Sequence, residues 1–142
     1  MTPELGVIEG YFGRPWPHED RKAVLKQLRA LGYSWYHYAP KADAHLRRRW
    51  REPHPPAAQA ELCDLAAHCR ALGLRFGVGL SPYELYRDFG SVARRAFVDK
   101  VRSLDDIGVD ELAILFDDTR GDVPDPAARE VAIGHAARGA PR

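Results

Sequence analysis

The side chains best suited to chemistry in this sequence are the adjacent carboxylates Asp117 and Asp118, which directly follow the apolar run Leu112–Phe116. Two neighbouring carboxyl groups can divide acid–base and electrostatic work, because the charge of one raises the proton affinity of the other. Successive residues of a regular strand point to opposite faces, so both reach one pocket only if the chain bends at the pair. The alternative for Asp118 is a helix cap or a turn. Three more clusters lie just past apolar runs: Glu9-Gly10-Tyr11-Phe12-Gly13-Arg14-Pro15-Trp16, Tyr38-Ala39-Pro40-Lys41-Ala42-Asp43 and Ser81-Pro82-Tyr83. Glycine lets a ligand approach the backbone, lysine can bind a sugar hydroxyl or a carboxylate, and aromatic rings can stack on a pyranose face.

The elements that must position these residues alternate in type. Leu5–Glu9 reads as a short strand. A helix follows from about His18 to Leu31, with Val24, Leu25, Leu28 and Leu31 at helical spacing and Gly32 as its stop. Ser34–Ala39 reads as a second strand, followed by a polar loop to Pro56. A helix from about Ala57 to Leu72 carries Leu62, Leu65, Ala66 and Cys69 on one side, and Gly73 closes it. Arg75–Leu80 is a third strand. Ser91 is the expected N-cap of a helix reaching Ile107, ended by Gly108. The unbroken apolar run within Glu111–Phe116 suits a parallel strand covered on both faces. A last helix is expected from about Ala127. Strands alternating with helices imply a parallel sheet with right-handed crossovers. A doubly wound open sheet and part of an eight-stranded barrel both fit. A whole barrel takes ~250 residues, so this chain holds about half of one. In either architecture, chemistry collects at the C-terminal strand ends, where the four clusters lie.

Composition narrows the function classes. The 142 residues include 21 basic and 20 acidic side chains, a net charge of +1, which argues against nucleic-acid binding by bulk electrostatics. A hydrophobic fraction of 45% fits one globular domain. No apolar run approaches the ~18 residues of a membrane span, and Met1–Gly10 does not read as a signal peptide. Cys63 and Cys69 make no disulfide framework, and a cytoplasmic location is expected. His18, His37, His45, His54, His68 and His135 show no repeat of metal-ligand spacing, and Cys63, His68 and Cys69 read as residues of one helix rather than a zinc site. Arg47-Arg48-Arg49-Trp50-Arg51 reads as a solvated loop with Trp50 in the core, in preference to a phosphate-binding patch. Trp35, Tyr36 and Tyr38 read as sheet packing, with pocket lining the alternative for Tyr38. Tyr83 and Tyr86 are open between sugar stacking and a loop core.

Four motifs in order, Gly6–Trp16, Tyr38-Ala39-Pro40-Lys41, Trp50-Arg51-Glu52-Pro53 and Ile114–Asp118, resemble the β-N-acetylglucosaminidase domain of glycoside hydrolase family 84. The resemblance runs from about Leu5 to Asp118 and weakly beyond. It implies about the first half of a (β/α)8 barrel and a retaining, substrate-assisted mechanism in which the sugar's own 2-acetamido oxygen attacks the anomeric carbon to give an oxazoline. Asp117 then matches the residue that orients and polarises the acetamido N–H. Asp118 matches the one that protonates the leaving oxygen and later activates water. Gly10 and Lys41 match positions that bind sugar hydroxyls, Tyr11 is a further substrate-binding candidate, and no metal or organic cofactor is implied. Three positions depart from the family pattern: Tyr11-Phe12 stands for Phe-Tyr, Ala42 for aspartate, and Tyr83 for glycine. The family's second half-barrel supplies a tyrosine, a tryptophan wall, and an asparagine and aspartate that grip the sugar; none has a counterpart here.

The expectation is therefore an α/β chain forming a single partial domain over residues 1–142, a half-barrel of parallel strand–helix units acting on glycans or glycoproteins that carry N-acetylglucosamine. A half-barrel exposes sheet edges, so it is expected to self-associate or to pair with a second half. The alternative is a catalytically inactive module that binds sugar or serves structure.

Overall fold

A computed structural model describes residues 2–117 and 124–139. Asp118 lies outside the described residues. The elements run β1 (Gly6–Glu9), α1 (His18–Ala30), β2 (Trp35–Tyr38), α2 (Pro56–Leu72), β3 (Arg75–Leu80), α3 (Ser91–Ile107), β4 (Glu111–Ile114) and α4 (Pro126–Arg138), with one 3₁₀ turn at Ala44–Leu46. All four strands are parallel and stand in the order β1-β2-β3-β4. Each helix packs on the next, α1 on α2, α2 on α3 and α3 on α4. A doubly wound sheet reverses its strand order at a switch point, whereas a barrel adds each strand beside the last. The unbroken order decides for the barrel type.

Local chemistry sets the element ends. Pro56 occupies the first turn of α2, where its missing N–H costs no helical bond. Gly73 and Gly108 end α2 and α3 in the left-handed conformation, at φ 73° and 100°. The cap of α3 is the extended Gly90 rather than Ser91, which is already helical. Asp125 caps α4, its carboxylate accepting the Ala128 N–H at 3.3 Å. The strands are shorter than the sequence suggests, but Ala39 N–H still donates to Glu9 O at 3.1 Å and Leu115 N–H to Leu80 O at 2.8 Å. These bonds carry the pairing into the loops that hold the site.

The two sheet faces differ. The helix-covered face presents Tyr36, Phe76, Val78 and Leu80, all at most 1% exposed, to Leu25, Leu65, Cys69, Phe97 and Leu104. Trp50 is buried with them, 6.2 Å from the Phe97 ring, while Arg48, Arg49 and Arg51 stay exposed. The opposite face, which would line a barrel, is built by fitting rings to glycines. A Cβ on Gly6 would lie 1.8 Å from the Trp35 ring, and one on Gly77 2.1 Å from His37. The Trp35 and His37 rings meet tilted at 51° with centroids 4.7 Å apart, His37 Nε2 meets Glu111 at 2.8 Å, and Arg75 Nε donates to Glu111 at 2.5 Å. This face has no second layer: Ile8 is 54% exposed, and every residue of β4 is only partly buried. The apolar run of β4 is thus covered on one face, not two.

Inside the covered face, Glu9 is 1% exposed and accepts both arms of the Arg21 guanidinium at 2.8 Å. The Tyr36 hydroxyl donates to the same carboxylate. Burial and the Glu9 charge push the Tyr36 phenol far up, so it remains a donor. Burial opposes the charge on Arg21, but its bonds and attraction to Glu9 outweigh that and raise its pKa. Removing one partner of such a pair strands a buried charge. Arg21→Ala should cost about 3–5 kcal/mol by urea unfolding, and the apolar triple Glu9→Leu, Arg21→Met, Tyr36→Phe should cost less than Arg21→Ala alone.

The cysteines share α2 but not an environment. Cys63 is exposed and Cys69 buried, and burial aided by the Asp110 charge pushes the Cys69 thiol up to about 12. Since the thiolate is the reactive form, iodoacetamide should alkylate Cys63 in the native chain and reach Cys69 only after denaturation, as read by peptide mass spectrometry.

Candidate active site

Parallel strands bring every C-terminal end to one rim, and residues distant in sequence meet there. Lys41 follows β2, Ser81 follows β3 and Asp117 follows β4. The Lys41 ammonium and the Ser81 hydroxyl both donate to Oδ2 of Asp117, the latter at 3.0 Å. The bond to Lys41 holds the Asp117 carboxyl below the usual range; partial burial opposes this, and Ser81 and the nearby Arg47 charge add to it. Asp117 is therefore a stable anion at neutral pH. A depressed carboxyl pKa keeps the pair intact above the ordinary aspartate range and releases it only as pH falls through the lowered value.

The loops behind these residues are fixed in place. Ser81 N–H donates to Leu46 O at 2.8 Å, and Arg47 donates to Lys41 O at 3.3 Å. The buried Trp50 indole donates to Tyr83 O at 3.2 Å, fastening the loop after β3 to the one after β2. The left-handed residue of the β3 loop is Glu84, at φ 58°, and Tyr83 is not among the positive-φ residues. The Tyr83 ring thus occupies the family's glycine position without backbone strain. An open cavity of about 260 Å³ beside Asp117 is bordered by Ser81, Tyr83, Arg47 and Phe116. Tyr83 lies at its edge, half exposed with Arg48 over its ring, while Tyr86 belongs to the core.

Of the residues singled out in the sequence, Asp117 and Lys41 are brought into direct contact. Gly10 closes β1 at the same rim, and a Cβ there would press on Ile8 at 3.3 Å. Tyr11 turns instead to Trp16, with ring centroids 5.8 Å apart. The ring beside Lys41 belongs to Phe12, 76% exposed, with Lys41 Nζ 5.8 Å and Arg47 5.9 Å from its centroid. Tyr38 faces the helices, its hydroxyl donating to Asp43 at 3.0 Å and its ring under Arg21. Ser81 lay in a strand-end cluster and Arg47 in a run read as a solvated loop, but neither was assigned a role beside Asp117. The position of Ser81 immediately after β3 was the available signal; nothing local marked Arg47 out from the arginines beside it.

Comparison with known proteins agrees with this arrangement. The family model for beta-N-acetylglucosaminidase matches residues 5–139. The Protein O-GlcNAcase of Rattus norvegicus and that of Mus musculus are each 30% identical over 118 residues, covering 80% of this chain and 12% of theirs. An aspartate-to-asparagine mutant of the Thermobaculum terrenum O-GlcNAc hydrolase superposes with a TM-score of 0.86 at 25% identity, over 95% of this chain and 31% of that one. The protein CpGH84B gives a TM-score of 0.83 at 28% identity, over 93% of this chain and 23% of its own. The chain thus spans about an eighth of the curated relatives and under a third of the solved ones. Among the described residues, no helix is long and apolar enough to cross a membrane. With a family model spanning nearly its whole length and its four parallel strands superposing on solved members, the chain belongs to the β-N-acetylglucosaminidases of glycoside hydrolase family 84 and carries the N-terminal half of their barrel.

Proposed function

We propose that this chain supplies the acid–base half of a β-N-acetylglucosaminidase site, which removes terminal β-linked N-acetylglucosamine from glycans or glycoproteins. The observation that carries this reading is the anionic Asp117 held by Lys41 and Ser81 at the strand-end rim. In a retaining, substrate-assisted reaction, the 2-acetamido oxygen attacks the anomeric carbon as the leaving oxygen takes a proton. Asp117 accepts the acetamido N–H, and its fixed negative charge stabilises the developing oxazolinium. Asp118, next in sequence, gives its proton to the leaving oxygen and then takes one from the water that opens the oxazoline. Lys41 serves both Asp117 and a sugar hydroxyl. Gly10 offers close backbone approach, and the exposed Phe12 beside Lys41 supplies an aromatic face, with Tyr11 behind it against Trp16.

Barrel closure needs strands against the free edges of β1 and β4, and a lid on the face that exposes Ile8. We infer that further strands cover these edges, from a second copy of this chain or from a separate second half; in the first case a two-fold axis along the barrel sets β4 of one copy beside β1 of the other at both seams. The free thiols Cys63 and Cys69 favour the cytoplasm as its compartment. The competing reading, an inactive sugar-binding or structural module, is favoured by the same uncovered face.

Two measurements test these assignments. Sedimentation should show a dimer at micromolar concentration, and a well-folded monomer there overturns the two-copy barrel. Hydrolysis of 4-nitrophenyl N-acetyl-β-glucosaminide should rise more than linearly with protein concentration as dimers form. Asp118→Asn and Asp117→Asn should each lower kcat by about 100-fold or more, the scale of a lost general acid or oxyanion-type contact. A folded, dimeric chain without turnover would establish the inactive module instead.

A further inference from the structure

A second polar cluster lies on the helix side of the rim, away from Asp117. Asp43 stands two residues beyond Lys41, His45 lies in the 3₁₀ turn, and His54 closes the same loop just before α2. One ligand atom from each of the three lies within 4.8 Å of the others. His54 Nε2 is 3.0 Å from Asp43 Oδ2, His45 Nδ1 is 3.9 Å from Asp43 Oδ1, and the imidazole centroids are 5.2 Å apart. All three side chains are largely buried, with exposures of 10%, 15% and 3% for Asp43, His45 and His54.

We propose that Asp43, His45 and His54 form a binding site for a divalent transition ion of the zinc type, which clips together the two ends of the loop between β2 and α2. Two imidazoles and one carboxylate are the donor set such an ion takes when it keeps a fourth position for water. Tetrahedral bonds of about 2.0–2.1 Å put ligand atoms about 3.4 Å apart, so the widest gap closes by roughly an ångström and a half, a side-chain rotation at His45.

The surroundings prepare the ligands. The Tyr38 hydroxyl at 3.0 Å and the His45 N–H at 2.9 Å orient the Asp43 carboxylate, the outer support that metal ligands require. The occupied site would brace the loop that carries Lys41 to Asp117.

The test is calorimetric titration of the full chain with ZnCl₂, paired with thermal unfolding in the same buffers. One zinc should bind per chain and raise the unfolding midpoint as its concentration rises. His45→Ala, which leaves the Asp43–His54 bond untouched, should weaken binding by at least ~10-fold and remove the midpoint shift. His54→Gln should do the same, and Cys63→Ser should change nothing. Cobalt(II) should give the visible spectrum of a tetrahedral site in the wild type and lose it in His45→Ala. Equal zinc affinity in the wild type and His45→Ala, or binding abolished by Cys63→Ser, overturns the proposal and leaves Asp43–His54 as a hydrogen-bonded loop staple.

Discussion

The buried carboxylate of Glu9 is the constraint around which the rest of the structure is arranged. A carboxylate at 1% exposure survives only with its oxygens satisfied, and here Arg21 and Tyr36 satisfy both. That requirement ties β1 to α1 and β2 at the rim end of the sheet. It continues outward, since Arg21 lies under the Tyr38 ring at 4.9 Å, Tyr38 holds Asp43, and Asp43 holds His54. One polar chain therefore runs from the first strand through the first helix to the loop that presents Lys41. Its members are mutually dependent, because each compensates part of the water another loses on burial.

The two faces of the sheet solve different problems. The helix side is an ordinary close-packed core in which Tyr36 stacks on Phe76 at 6.3 Å and Phe97 contacts both Trp50 and Phe89 edge-on. The other side alternates glycines with Trp35 and His37, and sets Arg75 against Glu111. Glycine there is a matter of space: the rings of β2 occupy the volume a Cβ of β1 or β3 would need. Among the described residues this face is left partly uncovered, with Ile8 54% exposed.

The rim chemistry rests on a division of charge. Lys41 and Ser81 both donate to one carboxylate, Asp117, and hold it as an anion. Because Lys41, Ser81 and Asp117 come from three successive strands, the constellation depends on strand register rather than on any one loop. Phe12 and not Tyr11 lies beside Lys41, and the Tyr11 ring packs against Trp16 instead.

The order of strands and helices, the α2 and α3 stop signals, the buried Trp50 and the placing of Lys41 and Asp117 at strand ends were all legible in the sequence, because periodicity, left-handed glycines and motif spacing are local properties. The contacts that define the two polar sites were not. Ser81 reaches Asp117 across 36 residues, and Lys41 reaches it across 76. Asp43, His45 and His54 have no repeated spacing, and only the return of the loop to the start of α2 brings them together. The alternation of elements left barrel and doubly wound sheet open, and the motif resemblance pointed to the half-barrel that the strand order then showed. Alternating elements determined that the sheet would be parallel; strand order, register and loop return, which are set by long-range packing, decided which side chains meet.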